Sequence, residues 1–216
     1  MTHQLDDGCL MITTAIGASI LGILTWSLLE YLIHRWVAHA RGFWHATPFG
    51  QEHTRHHAEG DYFAPTSRKA LAAILIMALI SPLAIVLTNV VPGAVFTASL
   101  VITYVAYEFL HRRLHTHMGN TAYGRWARRH HFHHHFVDPR TNHGVTSPLW
   151  DIVFGTYRKP KIIRVPARLR MSWLVNPHTG EVIDKYADTF VVGKTAERDD
   201  VDASPSIAYP DLHVVP

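Results

Sequence analysis

The chain has 216 residues, enough for one domain with a substantial core, and a formal charge of only +3. That charge gives no polyelectrolyte character, so no nucleic-acid partner is expected. The single cysteine, Cys9, excludes an internal disulfide framework and, within one chain, zinc-finger or iron–sulfur chemistry.

Residues 8–29 contain neither charge nor histidine. A helix needs about 20 apolar residues to cross a bilayer, so the first predicted element is a membrane helix over roughly 9–33. A cleaved signal peptide is the alternative. The preceding residues lack Lys and Arg, carry Asp6 and Asp7, and lead to no small-residue cleavage site, which disfavours it. Residues 70–107 form a second uncharged run. It is too long for one crossing and suits two. The stretch NVVPG at 89–93 supplies a turn, giving predicted helices over roughly 70–89 and 93–111. An uncharged run of this length is rare in a soluble hairpin.

Arg35, Arg41, Arg55, Arg68 and Lys69 separate the first two helices, and Arg112, Arg113, Arg125, Arg128 and Arg129 follow the third. The N-terminal tail and the 89–93 turn have no Lys or Arg. The positive-inside rule then predicts an N-terminus outside and both basic segments in the cytoplasm. Of the 18 histidines, 16 share that side; His3 is opposite, and His34 sits at the boundary.

The expected fold class is all-α integral membrane. It comprises about three transmembrane helices, a cytoplasmic histidine-rich helical cap and a small irregular C-terminal extension. Residues 1–160 are expected to form the membrane-embedded domain. Residues 161–194, with short β-like runs around NPHTG at 176–180, predict a small hairpin or cap. Residues 195–216 read as a disordered tail.

The histidines fall into four clusters. His34 and His39 form H-x4-H; His53, His56 and His57 form H-x2-H-H; His111 and His115 form H-x3-H; and the run 130–135 contains H-x2-H-H again. Positions i, i+3 and i+4 share one helix face, so His53, His56 and His57 can point at one spot, as can His111 and His115. The H-x4-H pair is rotated by more than a third of a turn on an ideal helix. It fits only if the helix ends or bends there, or if each histidine serves a different metal. In the last run, spacing leaves two registers open: His130, His133 and His134, or His131, His134 and His135. Ten imidazoles are too many for one ion and reasonable for two. Neutral imidazole suits iron and zinc. Protonating such a cluster would cause mutual repulsion, which a metal relieves. His3, His45, His117, His178 and His213 stand alone and read as surface or core residues. Glu30 and Glu108 precede His34 and His111 by four and three residues. Each could accept a ring N–H and fix a tautomer, or merely balance nearby arginines.

The segment WSLLEYLIHR at 26–35, with His39 following, resembles the first histidine box of the fatty acid hydroxylase superfamily. It is especially similar to the fatty acid 2-hydroxylases that act on acyl chains of ceramides. The order of the four boxes and the ending GVTSPLWDIVFGT at 144–156 are that family's. The resemblance covers about 20–158. It implies the register His131, His134, His135, followed by Phe136, with His130 and His133 as neighbours. It also adds Asn142, His143 and Asp151 as residues around the metals.

The resemblance implies an integral-membrane oxygenase holding two metal ions, with iron in the working enzyme and zinc as the alternative bound form. O2 and two electrons would hydroxylate an unactivated C–H of a bilayer lipid. The 2-hydroxylases of this family often carry a fused cytochrome b5 domain, whereas about 25 residues precede the first box here, so a separate cytochrome b5-like protein, ferredoxin or reductase is the expected electron donor. A desaturase, or an oxidase of a sterol-like or carotenoid-like lipid, shares the same metal centre. A metal transporter or sensor would need ionisable residues within the spans, and the uncharged runs have none.

Overall fold

The computed structural model describes residues 2–39 and 42–193; the tail expected over 195–216 lies outside them. Helix α1 spans Thr2–Ile33 and passes directly into a π-helical turn, His34–Ala38. Then follow α2 (Pro48–Glu59), α3 (Thr66–Leu87), α4 (Val90–Thr116), α5 (Ala122–Phe136) and the short α6 (Leu149–Val153). Three stretches, Leu10–Ala38, Thr66–Leu87 and Val90–Thr116, are long and apolar enough to cross a membrane.

The second and third spans are longer than the uncharged runs that announce them. An apolar run measures contact with lipid, whereas a helix continues as long as its backbone bonds do. So α3 begins before Arg68 and Lys69, and α4 runs past His111 and His115. Lys69 forms an ion pair with Glu108 across the α3–α4 boundary. The connection itself falls at Thr88 and Asn89. Pro92 sits in the first turn of α4, where backbone N–H groups have no intrahelical partner anyway.

Small residues join α1 to α4. A Cβ added at Gly22 would overlap the Phe96 carbonyl, and Ser19 Oγ lies 2.9 Å from Ser99 Oγ. Without water there is little hydrophobic drive between helices in lipid, so close backbone approach and interhelical hydrogen bonds supply the association. The outward faces carry exposed Ile16, Ile20, Leu75, Leu79 and Val86, as a lipid-facing surface requires.

The cap is built from α2, α5 and α6. Thr47 caps α2 by accepting from Gly50 N, and Thr121 caps α5 by accepting from Gly124 N. Beyond them lie β1 (Ile163–Pro166) and β2 (Phe190–Gly193), paired in parallel with Ile163 opposite Phe190. An antiparallel bridge, Val175 to Val182, closes the turn at 176–180. The turn residues signal such a hairpin. The parallel pair has no comparable signal, because period-2 patterning marks a strand but not its distant partner.

Candidate metal centre

The structure brings ten histidines into two groups, each able to hold a metal ion. His34, His39, His53, His57 and His134 form the first; His56, His111, His115, His131 and His135 form the second. Within each group the ligand atoms lie within 4.8 Å of one another.

The π-turn explains H-x4-H. A turn closed by i to i+5 hydrogen bonds brings residues five apart onto one face. His34 and His39 bracket it, with ring centroids 5.2 Å apart. Each H-x2-H-H set divides instead of converging. On α2, His53 and His57 serve the first group while His56 serves the second; on α5, His131 and His135 serve the second while His134 serves the first. Helical geometry requires the split: i+4 lies about 40° to one side of i, and i+3 about 60° to the other. The pair and the single residue therefore aim at neighbouring points. His57 stacks on His135, 4.0 Å between centroids, where the groups meet.

His130 and His133 belong to neither group. His130 lies between Trp126 and Tyr157 and approaches Asp151 at 3.3 Å. His45, His117 and His178 also lie outside both groups; the side chains of His3 and His213 are outside the described residues.

Backbone carbonyls, not carboxylates, hold three of the rings. Nδ1 of His34 faces the His143 carbonyl, that of His56 the Tyr62 carbonyl at 2.7 Å, and that of His134 the Thr141 carbonyl at 2.8 Å. A ring donating from Nδ1 turns its Nε2 lone pair towards the group. Nε2 of His34, His56, His57 and His111 is buried without a hydrogen-bond partner. His39 Nε2 lies 2.8 Å from His134 Nε2, and His115 Nε2 lies 2.8 Å from His131 Nε2. Buried lone pairs converging on one another are costly unless something accepts them. A metal ion preferring nitrogen ligands fits both groups.

Of the two roles open to Glu30 and Glu108, that of ring partner is not taken: among the described residues neither carboxylate is hydrogen-bonded to a histidine ring. Glu30 accepts from Val145 N at 2.6 Å, Thr146 N at 3.0 Å and the Thr146 hydroxyl at 2.7 Å, tying the 144–146 loop to α1. Glu108 is occupied by Lys69. Asn142, in the left-handed region at φ 55°, accepts from Arg158 N and donates to the Arg158 carbonyl. Asp151 is fully buried and accepts from His143 N, Gly144 N and the Thr156 hydroxyl. Burial alone would raise its pKa, but hydrogen bonds from His130, His143, Thr156 and Gly144 outweigh that and hold the carboxyl far below its usual range. Asp151 thus fixes the 143–144 backbone, and that backbone fixes His34. Tyr62 and Thr141 act here through their carbonyls, which no side-chain pattern could reveal.

Burial lowers the pKa of His39 to about 3, with neighbouring His143 adding to it, and that of His56 to about 4, despite the Tyr62 carbonyl. Burial, then the surrounding imidazoles, hold His53, His57, His131, His134 and His135 well below the usual value. All are neutral at pH 7, the form that binds metal. Unfolded histidines take up protons below about pH 6.5, whereas folded His56 does so only near pH 4 and His39 near pH 3, and the other five are likewise held well below the usual value. Stability of metal-stripped protein should therefore be level from pH 7 to 8 and fall steadily as pH drops from about 6.5 towards 4. Melting in detergent across that range checks this; a level profile down to pH 4 would contradict it.

A cavity of about 400 Å³ connects this centre with the membrane helices. Trp26, Ile76, Tyr104 and Tyr107 line its membrane side, and His53, His56 and His111 line its cap side.

The fatty acid hydroxylase family model matches residues 19–156. The chain belongs to the fatty acid hydroxylase family. It is 32% identical over 142 residues to dihydroceramide fatty acyl 2-hydroxylase FAH2 of Arabidopsis thaliana, covering 62% of this chain and 58% of that one. It is 31% identical over 156 residues to human fatty acid 2-hydroxylase (Homo sapiens), covering 67% and 40%. Among solved structures it is similar to full-length scs7p, of which only the hydroxylase domain is visible. That match has a TM-score of 0.51 and 25% identity, covering 73% of this chain and 65% of that one. The chain thus spans little more than half, or less, of these two curated relatives. The family match and the three apolar helices make it an integral membrane protein.

Proposed function

We propose that the protein hydroxylates the acyl chain of a membrane lipid, of fatty acid or sphingolipid type, using O2 at a pair of histidine-held metal ions. The observation that carries this reading is the cavity. It runs from aromatic and aliphatic residues of the membrane helices to histidines of both groups. An acyl chain can lie against Trp26, Ile76 and Tyr104, with Glu30, Lys69 and Glu108 also on the cavity wall, while its reacting carbon reaches His53, His56 and His111. The names of the relatives, fatty acid and dihydroceramide fatty acyl 2-hydroxylases, support the same chemistry.

His34, His39, His53, His57 and His134 would hold one ion, and His56, His111, His115, His131 and His135 the other. Bound there, a metal pair, proposed to be iron, would supply the redox chemistry that lets O2 and two electrons from the donor place one oxygen atom in an unactivated C–H bond, the other leaving as water. The chain's own part is positioning. Carbonyls of His143, Tyr62 and Thr141 hold their imidazole partners as Nδ1–H tautomers. Trp26 packs at a tilt against Tyr104, 4.7 Å between ring centroids, and the pair makes a wall for the lipid. The enclosed position of the histidines keeps bulk water from the reacting carbon. The cap faces the cytoplasm and the N-terminus lies outside, as the placement of Lys and Arg favours. Electrons come from a separate cytochrome b5-like protein, ferredoxin or reductase.

Lipids extracted from expressing cells grown under isotopically labelled O2 should include acyl chains carrying one labelled hydroxyl oxygen, absent without the protein. New double bonds with no incorporated label would overturn hydroxylation in favour of desaturation.

A further inference from the structure

The five histidines of the second group sit on α2, α4 and α5, and residues 161–193 grip all three helices. Arg168 Nη1 donates to the Ala58 carbonyl at 2.9 Å, and Leu169 packs over Gly60, which ends α2. Trp173 Nε1 donates to the carbonyl of His115 itself at 2.9 Å. Phe132, on α5 beside His131, is fully buried in the apolar core that the segment forms with Ile163, Trp173 and Phe190.

The end of α4 shows what this does. The last four carbonyls of a helix lack intrahelical partners. In α4, Trp173 takes that of His115, and Arg128 takes that of Arg113 at 2.8 Å and that of the following His117 through Nε at 2.8 Å. The Arg128 guanidinium lies 5.3 Å from the centre of the Trp173 ring. Tyr186 adds a further pin, its hydroxyl accepting from Gly119 N at 2.9 Å and donating to the Gly119 carbonyl at 3.1 Å. The turn carrying His111 and His115 is therefore braced from outside its own helix. Helices α2 and α5 also carry His53, His57 and His134 of the first group, whereas α4 carries second-group ligands alone. His34 and His134 of the first group are held through the 141–156 segment and Asp151. Among the described residues no hydrogen bond from 161–193 reaches a first-group histidine. The family match ends at residue 156, so the second brace lies outside it.

We infer that residues 161–193 are a clamp that holds the second histidine group in metal-binding geometry, with Trp173 as the positioning residue for His115. This rests on the two-metal reading above. The test is metal release from the purified, metal-loaded full chain to a competing chelator. Trp173→Phe keeps a ring beneath Arg128 and deletes the N–H donor. It should release one of two ions about 10–100-fold faster, the range typical for loss of a supporting hydrogen bond, and the other at the wild-type rate. In a His39→Ala background, which weakens the first group, the ion that remains should be the one that Trp173→Phe accelerates. Two ions leaving at wild-type rates, or both accelerated equally, would overturn the clamp while leaving the metal centre standing. A wild-type chain that binds no metal would overturn the two-metal reading instead. If Trp173→Phe does not fold, Tyr186→Phe decides: selective acceleration supports the clamp, and unchanged release overturns it.

Discussion

Replacing His134 by Ala should abolish hydroxylation and remove the first-group ion, whereas His133→Ala, one position away, should keep both ions. His134 is wholly buried, its Nδ1 held by the Thr141 carbonyl and its Nε2 facing His39. His133 belongs to neither group. Loss of an outer hydrogen-bonding partner costs a metal site about 10–100-fold, so loss of a ligand should exceed that. Turnover and metal content of the two variants, prepared alike, make the comparison. Equal loss in both, or full activity in His134→Ala, would contradict the division of the run.

Asp151→Ala should be the most destabilising change outside the histidines. It removes the acceptor of two backbone N–H groups and one hydroxyl at a site with no access to water. Leaving these buried groups unsatisfied should cost at least about 3 kcal/mol. The damage also spreads, because the His143 carbonyl that orients His34 is fixed by that carboxylate. Asp151→Asn, which keeps the shape and one acceptor, should fold with a smaller loss of stability and a weakened first-group ion. Melting temperature and ions per chain measure both effects. A variant melting like wild type with both ions retained would rule the network out as a support.

The membrane plan was legible because charge is excluded from lipid-facing helix, so the runs at 8–29 and 70–107 announce themselves. The four histidine clusters were legible for a related reason: that many imidazoles at helical spacing have no packing use. The register His131, His134 and His135 within the last came from the family resemblance, since spacing left two choices open. Their division between two groups was harder to read. H-x2-H-H suggests convergence, and only the opposite offsets of i+3 and i+4 reveal two targets. H-x4-H looked misaligned because an ideal helix was assumed, and no residue between Arg35 and Ala38 signals a π-turn. The supports were the least legible part. Carbonyls of Tyr62, Thr141 and His143 are common to every residue, so tertiary placement alone selects them. Glu30 stands at the right spacing for a ring partner, yet its oxygens are taken by Val145 and Thr146, more than a hundred residues away in sequence.

The proposed chemistry requires two metal ions held by ten histidines. Elemental analysis of active, detergent-purified protein, normalised to chain concentration, tests it most directly. Two ions per chain, iron in the working enzyme, is the predicted result; active protein with one ion or none would contradict it.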